Sequence, residues 1–313
     1  MPRRFRRPAK HVRHRFNDPS GRKSLLKRFV PALFFAAMLL YGCVRLTVYF
    51  VRSADVQASN EALQALHTEE AVSAGAAQTA TSVPVTASPA PLSSPSPTLT
   101  PPYQQTGTAI LPELQKLYAK NHDLIGWIEI PGVVNLPVVY RDNRYYLTHD
   151  FSGKKSAAGT LFLDENHPLA ADTQALVIHG HNMTDGSMFG LLPHYRKIAY
   201  IRQHGLVTFS TLYRRESYAI IAVLIVPGDV SAPGYVAYTG TPFYQTDAEF
   251  NAYKDQLLSR SLYTIPIDVN AGDALLTLST CLNEDRLIVV CRRLRAGETE
   301  TDMLIALAHC VPR

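Results

Sequence analysis

Residues 29–51 form an apolar run interrupted by one charge, Arg45. At about 1.5 Å of rise per residue, a helix of that length crosses a hydrocarbon core of about 30 Å. A globular core cannot absorb such a segment, so the chain is divided into a short leading piece and a long trailing one. A cleaved signal peptide is the competing reading, but the run is long for one and no clear small-residue cleavage site follows it closely. Arg45 lies near one end, where its aliphatic stem lets the guanidinium reach the head groups.

Charge falls unevenly on the two sides. The first 28 residues carry 11 Lys or Arg against one acid, Asp18, which leaves 20 basic and 25 acidic residues for the other 285. The formal net charge of +5 therefore belongs to the tail, and the slightly acidic remainder argues against nucleic-acid binding by the folded part. Positive charge before the span and its scarcity after it predict a cytoplasmic N-terminus, with the rest of the chain outside the membrane.

From about Ala54 to Glu70 the sequence suits a short helix continuing from the membrane. Between residues 71 and 102 there is no charge, and seven prolines stand between Pro84 and Pro102 among Ala, Ser and Thr. Such a composition buries no core, and as polyproline its roughly 35 residues reach up to about 100 Å. The expected organisation is a basic cytoplasmic tail (1–28), a transmembrane helix (29–51), an extracellular disordered stalk (52–105) and a folded domain (106–313).

The final roughly 200 residues suffice for one sizeable core. After a helix over 111–120 come eight short segments rich in β-branched residues: 124–130, 134–140, 159–164, 175–181, 206–213, 218–226, 274–281 and 287–293. Helices are predicted over 187–203 and 247–262, the second with Phe250, Tyr253, Leu257 and Leu258 in helical spacing. Strands without regular alternation of helices favour a mainly β fold, a barrel decorated by helices, over a doubly wound sheet.

Chemistry concentrates at two strand ends. Thr277-Leu278-Ser279-Thr280-Cys281 closes one apolar segment and Arg286 opens the next. A thiol nucleophile needs a route to thiolate and a proton donor for its leaving group, and a neighbouring His or Arg lowers its pKa. The alternative for Cys281 is a buried structural thiol. Cys43 falls in the span, Cys291 inside an apolar strand as a small hydrophobe, and Cys310 in an apolar run near the C-terminus; an extracellular location permits a Cys291–Cys310 disulfide.

His179 and His181 close the 175–181 segment, and period two sets both on one face. His181 is preferred because it stands at the strand exit, beside Asn182 and a Gly-containing loop, where a side chain reaches a cleft. His-Gly-His plus Cys is also a zinc-binding pattern. With no fourth ligand spaced nearby and a cation close after Cys281, a metal is not expected. Arg286 is either a surface charge flanking a strand or a guanidinium that stabilises the oxyanion of acyl transfer.

These residues resemble the sortases, membrane-anchored cysteine transpeptidases of Gram-positive bacteria, whose signature is a T-L-x-T-C strand, a following Arg and an upstream Gly-His. The likeness is to class B. Gly180-His181-Asn182-Met183 with Gly186-Ser187-Met188-Phe189 resembles its His segment. Gly126-Trp127-Ile128-Glu129-Ile130-Pro131-Gly132, Pro137-Val138-Val139, Asp142-Asn143 with Tyr146-Leu147, and Gly159-Thr160-Leu161-Phe162-Leu163-Asp164 resemble its barrel segments in order. A long helix between the sixth and seventh strands also fits the class, and 247–262 lies there, whereas the loop from Cys281 to Arg286 is short for it.

The resemblance implies an eight-stranded sortase barrel with peripheral helices, Cys281 as nucleophile, His181 as general acid and base, and Arg286 on the oxyanion or substrate backbone. Ser279 and Thr280, with Asn182, would line the substrate cleft, and no cofactor is implied. The implied reaction cleaves a C-terminal sorting signal of secreted proteins through a thioester, resolved by an amine of a peptidoglycan precursor or a pilin lysine. On the residues alone, a hydrolytic cysteine peptidase and a non-catalytic surface binding protein stay open.

Overall fold

The structure, a computed structural model, describes residues 20–78, 109–167, 173–241 and 243–313. The basic tail up to residue 19 and the proline-rich part of the expected stalk lie outside these. Helix α1 runs Ser20–Gln78, and its portion Leu33–Val72 contains a segment long and apolar enough to cross a membrane. Leu33, Leu39 and Phe50 on it are exposed, as lipid-facing residues are.

The chain divides into two compact units after Ala54. In the second, Asp55–Arg313, the end of α1 packs on the barrel. His67 stacks on Trp127 with ring centroids 4.3 Å apart, Gln64 donates to Asn135 O at 2.9 Å, and Glu70 accepts from the Lys116 amide at 3.1 Å. Within the segment expected to be stalk, residues from Asp55 to the end of α1 thus belong to the folded unit. The cause is local: one imidazole and one carboxylate on this helix find aromatic and amide partners that a charge-free Ala/Ser/Pro tract lacks.

Helix α2 (Pro112–Lys120) opens on Pro112, whose missing N–H is unneeded in a first turn, and turns Leu114 and Leu117 inward. Among the described residues ten strands follow in chain order: β1 (Leu124–Ile130), β2 (Val134–Val139), β3 (Leu161–Leu163), β4 (Ala175–His179), β5 (Leu206–Thr211), β6 (Arg215–Pro227), β7 (Tyr263–Thr264), β8 (Leu275–Leu282), β9 (Asp285–Arg293) and β10 (Val311–Pro312). Eight of them close into a barrel in the order β1-β2-β3-β4-β8-β9-β6-β5, while β7 and β10 pair separately. Each predicted segment supplies one barrel strand. Both faces of the wall are buried: Ile128, Ile178, Val223 and Val289 join the main core, and Trp127, Phe162 and Leu212 form a second cluster with Leu114 and Leu117 of α2.

The predicted helix over 187–203 does not form as one piece. It divides into a 3-10 turn, Leu192–Arg196, and helix α3, Ile198–His204, because Pro193 supplies no amide to a preceding turn and fits only at a helix start. Helix α4 spans Asp247–Arg260 between β6 and β7, capped by Thr246, whose side chain accepts from the Glu249 amide. A fifth helix, α5 (Glu300–Ala308), not expected from the sequence, starts at a capping box of Thr299 and Asp302.

Candidate active site

Strands β4 and β8 run parallel as barrel neighbours, in register from Ala175 with Leu275 to His179 with Ser279. Hydrogen bonds continue the pairing past the strand end: Gly180 N to Ser279 O at 3.2 Å, Thr280 Oγ1 to Gly180 O at 2.8 Å, and Asn182 Nδ2 to Cys281 O at 2.9 Å. His181 and Cys281, two residues beyond the last pair on each chain, thus leave the barrel side by side. Gly180 lets the strand end pack against Leu161 and Phe189, since a Cβ there would stand 2.3 Å from Leu161 Cδ2 and 2.7 Å from Phe189 Cδ2.

The short link from Cys281 to Arg286 resolves into a hairpin turn. Leu282 pairs with Asp285 and Cys281 with Arg286, leaving Asn283 and Glu284 at the tip, with Asn283 at φ 57°, a conformation Asn tolerates better than most residues. Cross-strand partners lie within about 5.5 Å at Cα. The turn therefore sets the guanidinium beside the thiol, and Arg286 Nη1 donates to Cys281 Sγ. A longer loop is unnecessary.

Period two places Thr277, Ser279 and Cys281 on one face of β8. Tyr238 OH meets Ser279 Oγ at 3.0 Å. The segment after β6 thus covers Ser279, and Cys281 is the first of the row to keep solvent-facing surface. Burial pushes the Tyr238 phenol up, against the opposing influence of Ser279 and Arg286. Ser279 and Thr280 are each 1% exposed and their hydroxyls are engaged internally, where they fix β8 against Tyr238 and Gly180. Asn182 stays exposed, with its amide on the Cys281 carbonyl.

The two histidines part company. His181 Nε2 donates to Leu147 O at 2.8 Å, so Nδ1 is the ring nitrogen outside that bond. His179 Nε2 instead meets Asp164 Oδ2 at 3.0 Å. The Leu147 carbonyl is presented by a 3-10 turn, Tyr145–Leu147, seated over Gly159, where φ is +61° and a Cβ would stand 2.3 Å from Tyr146 O. Tyr238, the Leu147 carbonyl and Asp164 were missed from sequence. Asp164 and Leu147 carried a signal there, as the ends of the Gly159–Asp164 and Tyr146-Leu147 motifs, and Tyr238 carried none. All four cysteines are free thiols, so Cys291 and Cys310 form no disulfide. Among the described residues no His, Cys, Asp and Glu group suits a metal.

A closed barrel with a thiol, a guanidinium and an imidazole at one rim is the architecture of a thiol acyl-transfer enzyme. No family model matches the chain. It is 31% identical to sortase B of Listeria monocytogenes over 174 residues, 55% of this chain and 68% of that protein. The crystal structure of Clostridium perfringens sortase B superposes with a TM-score of 0.53 at 27% identity, covering 58% of this chain and 99% of that one. Bacillus anthracis sortase B, solved in complex with AAEK2, gives 0.55 at 25% identity over 62% and 88%. The chain belongs to the sortase B family and is a cysteine transpeptidase.

Proposed function

We propose that Cys281 is the nucleophile, Arg286 the cation that stabilises first the thiolate and then the oxyanion, and His181 the proton carrier. The observation that carries this is the Cys281–Arg286 cross-strand pair with its guanidinium–sulfur contact. A guanidinium favours the charged thiol. When sulfur attacks the carbonyl carbon of a sorting peptide, negative charge moves from sulfur to the carbonyl oxygen, within reach of the same fork of donors. The tetrahedral species collapses as the C–N bond breaks, and His181, which holds on Nδ1 the proton given up by the Cys281 thiol, delivers it to the departing amine. An acceptor amine then attacks the thioester, gives a proton back to His181, and expels the Cys281 thiolate.

The substrate is the C-terminal sorting signal of a secreted protein, and the acceptor an amine of a peptidoglycan precursor or a pilin lysine. The basic tail and apolar span support an N-terminus in the cytoplasm and the barrel outside, where both substrates meet. Asn182, exposed at the rim, is the side chain among the sequence candidates with a surface to offer the peptide. The test is to incubate the full chain in detergent micelles with a sorting-peptide library and weigh the trapped acyl-enzyme. Glycine peptides, diaminopimelate-containing stems and pilin-lysine peptides are then titrated in. A ligated product identifies the amine. Hydrolysis product alone with every amine would overturn the acceptor assignment.

A further inference from the structure

Asp164 lies outside the Cys281, His181 and Arg286 group, yet its carboxylate is engaged from four directions. Oδ1 accepts from His167 Nδ1 at 3.0 Å and the Asn166 amide at 2.9 Å, and Oδ2 accepts from His179 Nε2 and Asn143 Nδ2, each at 3.0 Å. The Asp164 side chain is 4% exposed and that of His167 0%. Burial by itself would raise this carboxyl, but the hydrogen bonds from His167, His179 and Asn166 outweigh it and hold the group ionised, far below the ordinary carboxylate range. Joining β3 to β4 does not require such a hub. The backbone already does so through the pairs Phe162–His179 and Leu163–Ile178 and the bond from Asp164 N to Val177 O at 2.8 Å.

Both donors to Oδ2 lead to His181 by a short path. His179 is the last residue of β4, two before His181. Asn143 stands four residues before Leu147, whose carbonyl holds His181 Nε2. Between them the chain is stiff: Asp142 Oδ1 accepts from the Arg144 and Tyr145 amides, Leu147 N donates to Arg144 O at 3.3 Å, and Thr160 N donates to Tyr146 O at 2.9 Å. One oxygen atom is thus bonded both to the strand that carries the imidazole and to the loop that supplies its acceptor.

We propose that Asp164 is a positioning residue for the transpeptidation reaction: through His179 and Asn143 it sets His181 against the Leu147 carbonyl, keeping Nε2 protonated and Nδ1 free. The inference rests on the reading of His181 as the proton carrier. Asp164 itself touches no reacting atom, and nothing in the role needs it to titrate. The arrangement gives His179 a task other than catalysis and explains why Asn143 is turned into the wall, where its Oδ1 also accepts from Glu165 N at 2.9 Å.

The test uses the full chain in detergent micelles and diethyl pyrocarbonate, which acylates unprotonated imidazole nitrogen, with site-by-site rates read by peptide mass mapping. His179→Leu and Asn143→Ala each remove one arm, while His179→Gln keeps a donor near the Nε2 position. Loss of one hydrogen bond of ordinary net strength corresponds to an about three- to tenfold change in occupancy. His181 should therefore react about three- to tenfold faster in His179→Leu and in Asn143→Ala, less than additively in the double variant, and near its native rate in His179→Gln. His122 and His309, away from the cluster, should keep their rates. Unchanged His181 reactivity in both single variants overturns the inference, as does an equal rise at the reference histidines, which would mean general loosening. Peptide cleavage by His181→Ala separates the two levels. If that variant stays active, the reading of His181 fails; if it is inactive while reactivity does not shift, the positioning role alone fails.

Discussion

Cys281 and Cys291 stand on the two arms of one hairpin and differ in what governs thiol chemistry. Cys281, on β8, faces Arg286 at the open end, keeps solvent-facing surface and receives a guanidinium N–H. Cys291, on β9, pairs with Leu276 near the base, has no exposed surface, and burial pushes its thiol well above the ordinary value. Residue type alone does not separate them, although the polar Ser279-Thr280 pair before Cys281 and the charged loop after it already differ from the apolar run before Cys291. Height along the barrel does so in space: at the rim the thiol meets a guanidinium and solvent, and a few residues lower burial penalises a thiolate.

The sharpest way to break this comparison is to exchange the two thiols for methyls. Cys281→Ala should abolish acyl-enzyme formation and transfer, because no neighbouring hydroxyl is free to replace it; Cys291→Ala should still turn over sorting peptide. In the folded chain iodoacetamide should label Cys281 and spare Cys291, with the preference vanishing in denaturant. Peptide mapping that finds Cys291 labelled as fast as Cys281 under native conditions would erase the distinction.

Next in size is the proton carrier at the same rim. His181→Ala should lower turnover by at least about 10²-fold, the usual cost of losing a positioned acid or base. His179→Ala should cost less, since that imidazole is spent on Asp164. Steady-state rates that fall equally in the two variants would remove the assignment of roles between them.

A smaller effect probes what the rim cation contributes. Arg286→Lys keeps the charge but loses the planar fork, so kcat should fall by about tenfold or more, part of the 10²–10³ attributed to an oxyanion donor. Near-normal kinetics would show that only a local positive field is needed, and that Cys281 differs from Cys291 by potential alone.

The smallest effect lies at the base of the hairpin. Cys291→Ala should cost about 1 kcal/mol through the small cavity it leaves, seen as a lower melting temperature with catalysis intact. Cys291→Ser should cost more, about 1–3 kcal/mol, because its hydroxyl would be buried without a partner. A serine variant as stable as wild type would mean that the site is wetter than its burial indicates.

How far the sequence could be read depends on how local each determinant is. The barrel strands were legible because β-branched runs such as Leu287 to Val290 state their preference within a few residues. The break within 187–203 has Pro193 as its local signal, and α5 has its capping box, Thr299 with Asp302, yet neither was legible from hydrophobic pattern alone. That Cys281 and Arg286 stand at adjoining ends of two strands was legible, but their cross-strand pairing through a two-residue turn was not. Nor were the hydroxyls of Ser279 and Thr280: period two assigns a face but not the Tyr238 or Gly180 that meets it.

By itself the sequence determined the apolar span, the charge asymmetry around it, the barrel's strands, and the thiol and guanidinium at adjoining strand ends, all properties of neighbours along the chain. The tertiary structure alone decided that His181 is held by the Leu147 carbonyl while His179 is held by Asp164, that Tyr238 covers Ser279 and leaves Cys281 open, and that His67 belongs to the barrel's wall rather than to a stalk. Each of those choices pairs groups at least 15 residues apart. Such pairings arise when the barrel closes and buried polar groups must take whichever partner the closure brings within reach.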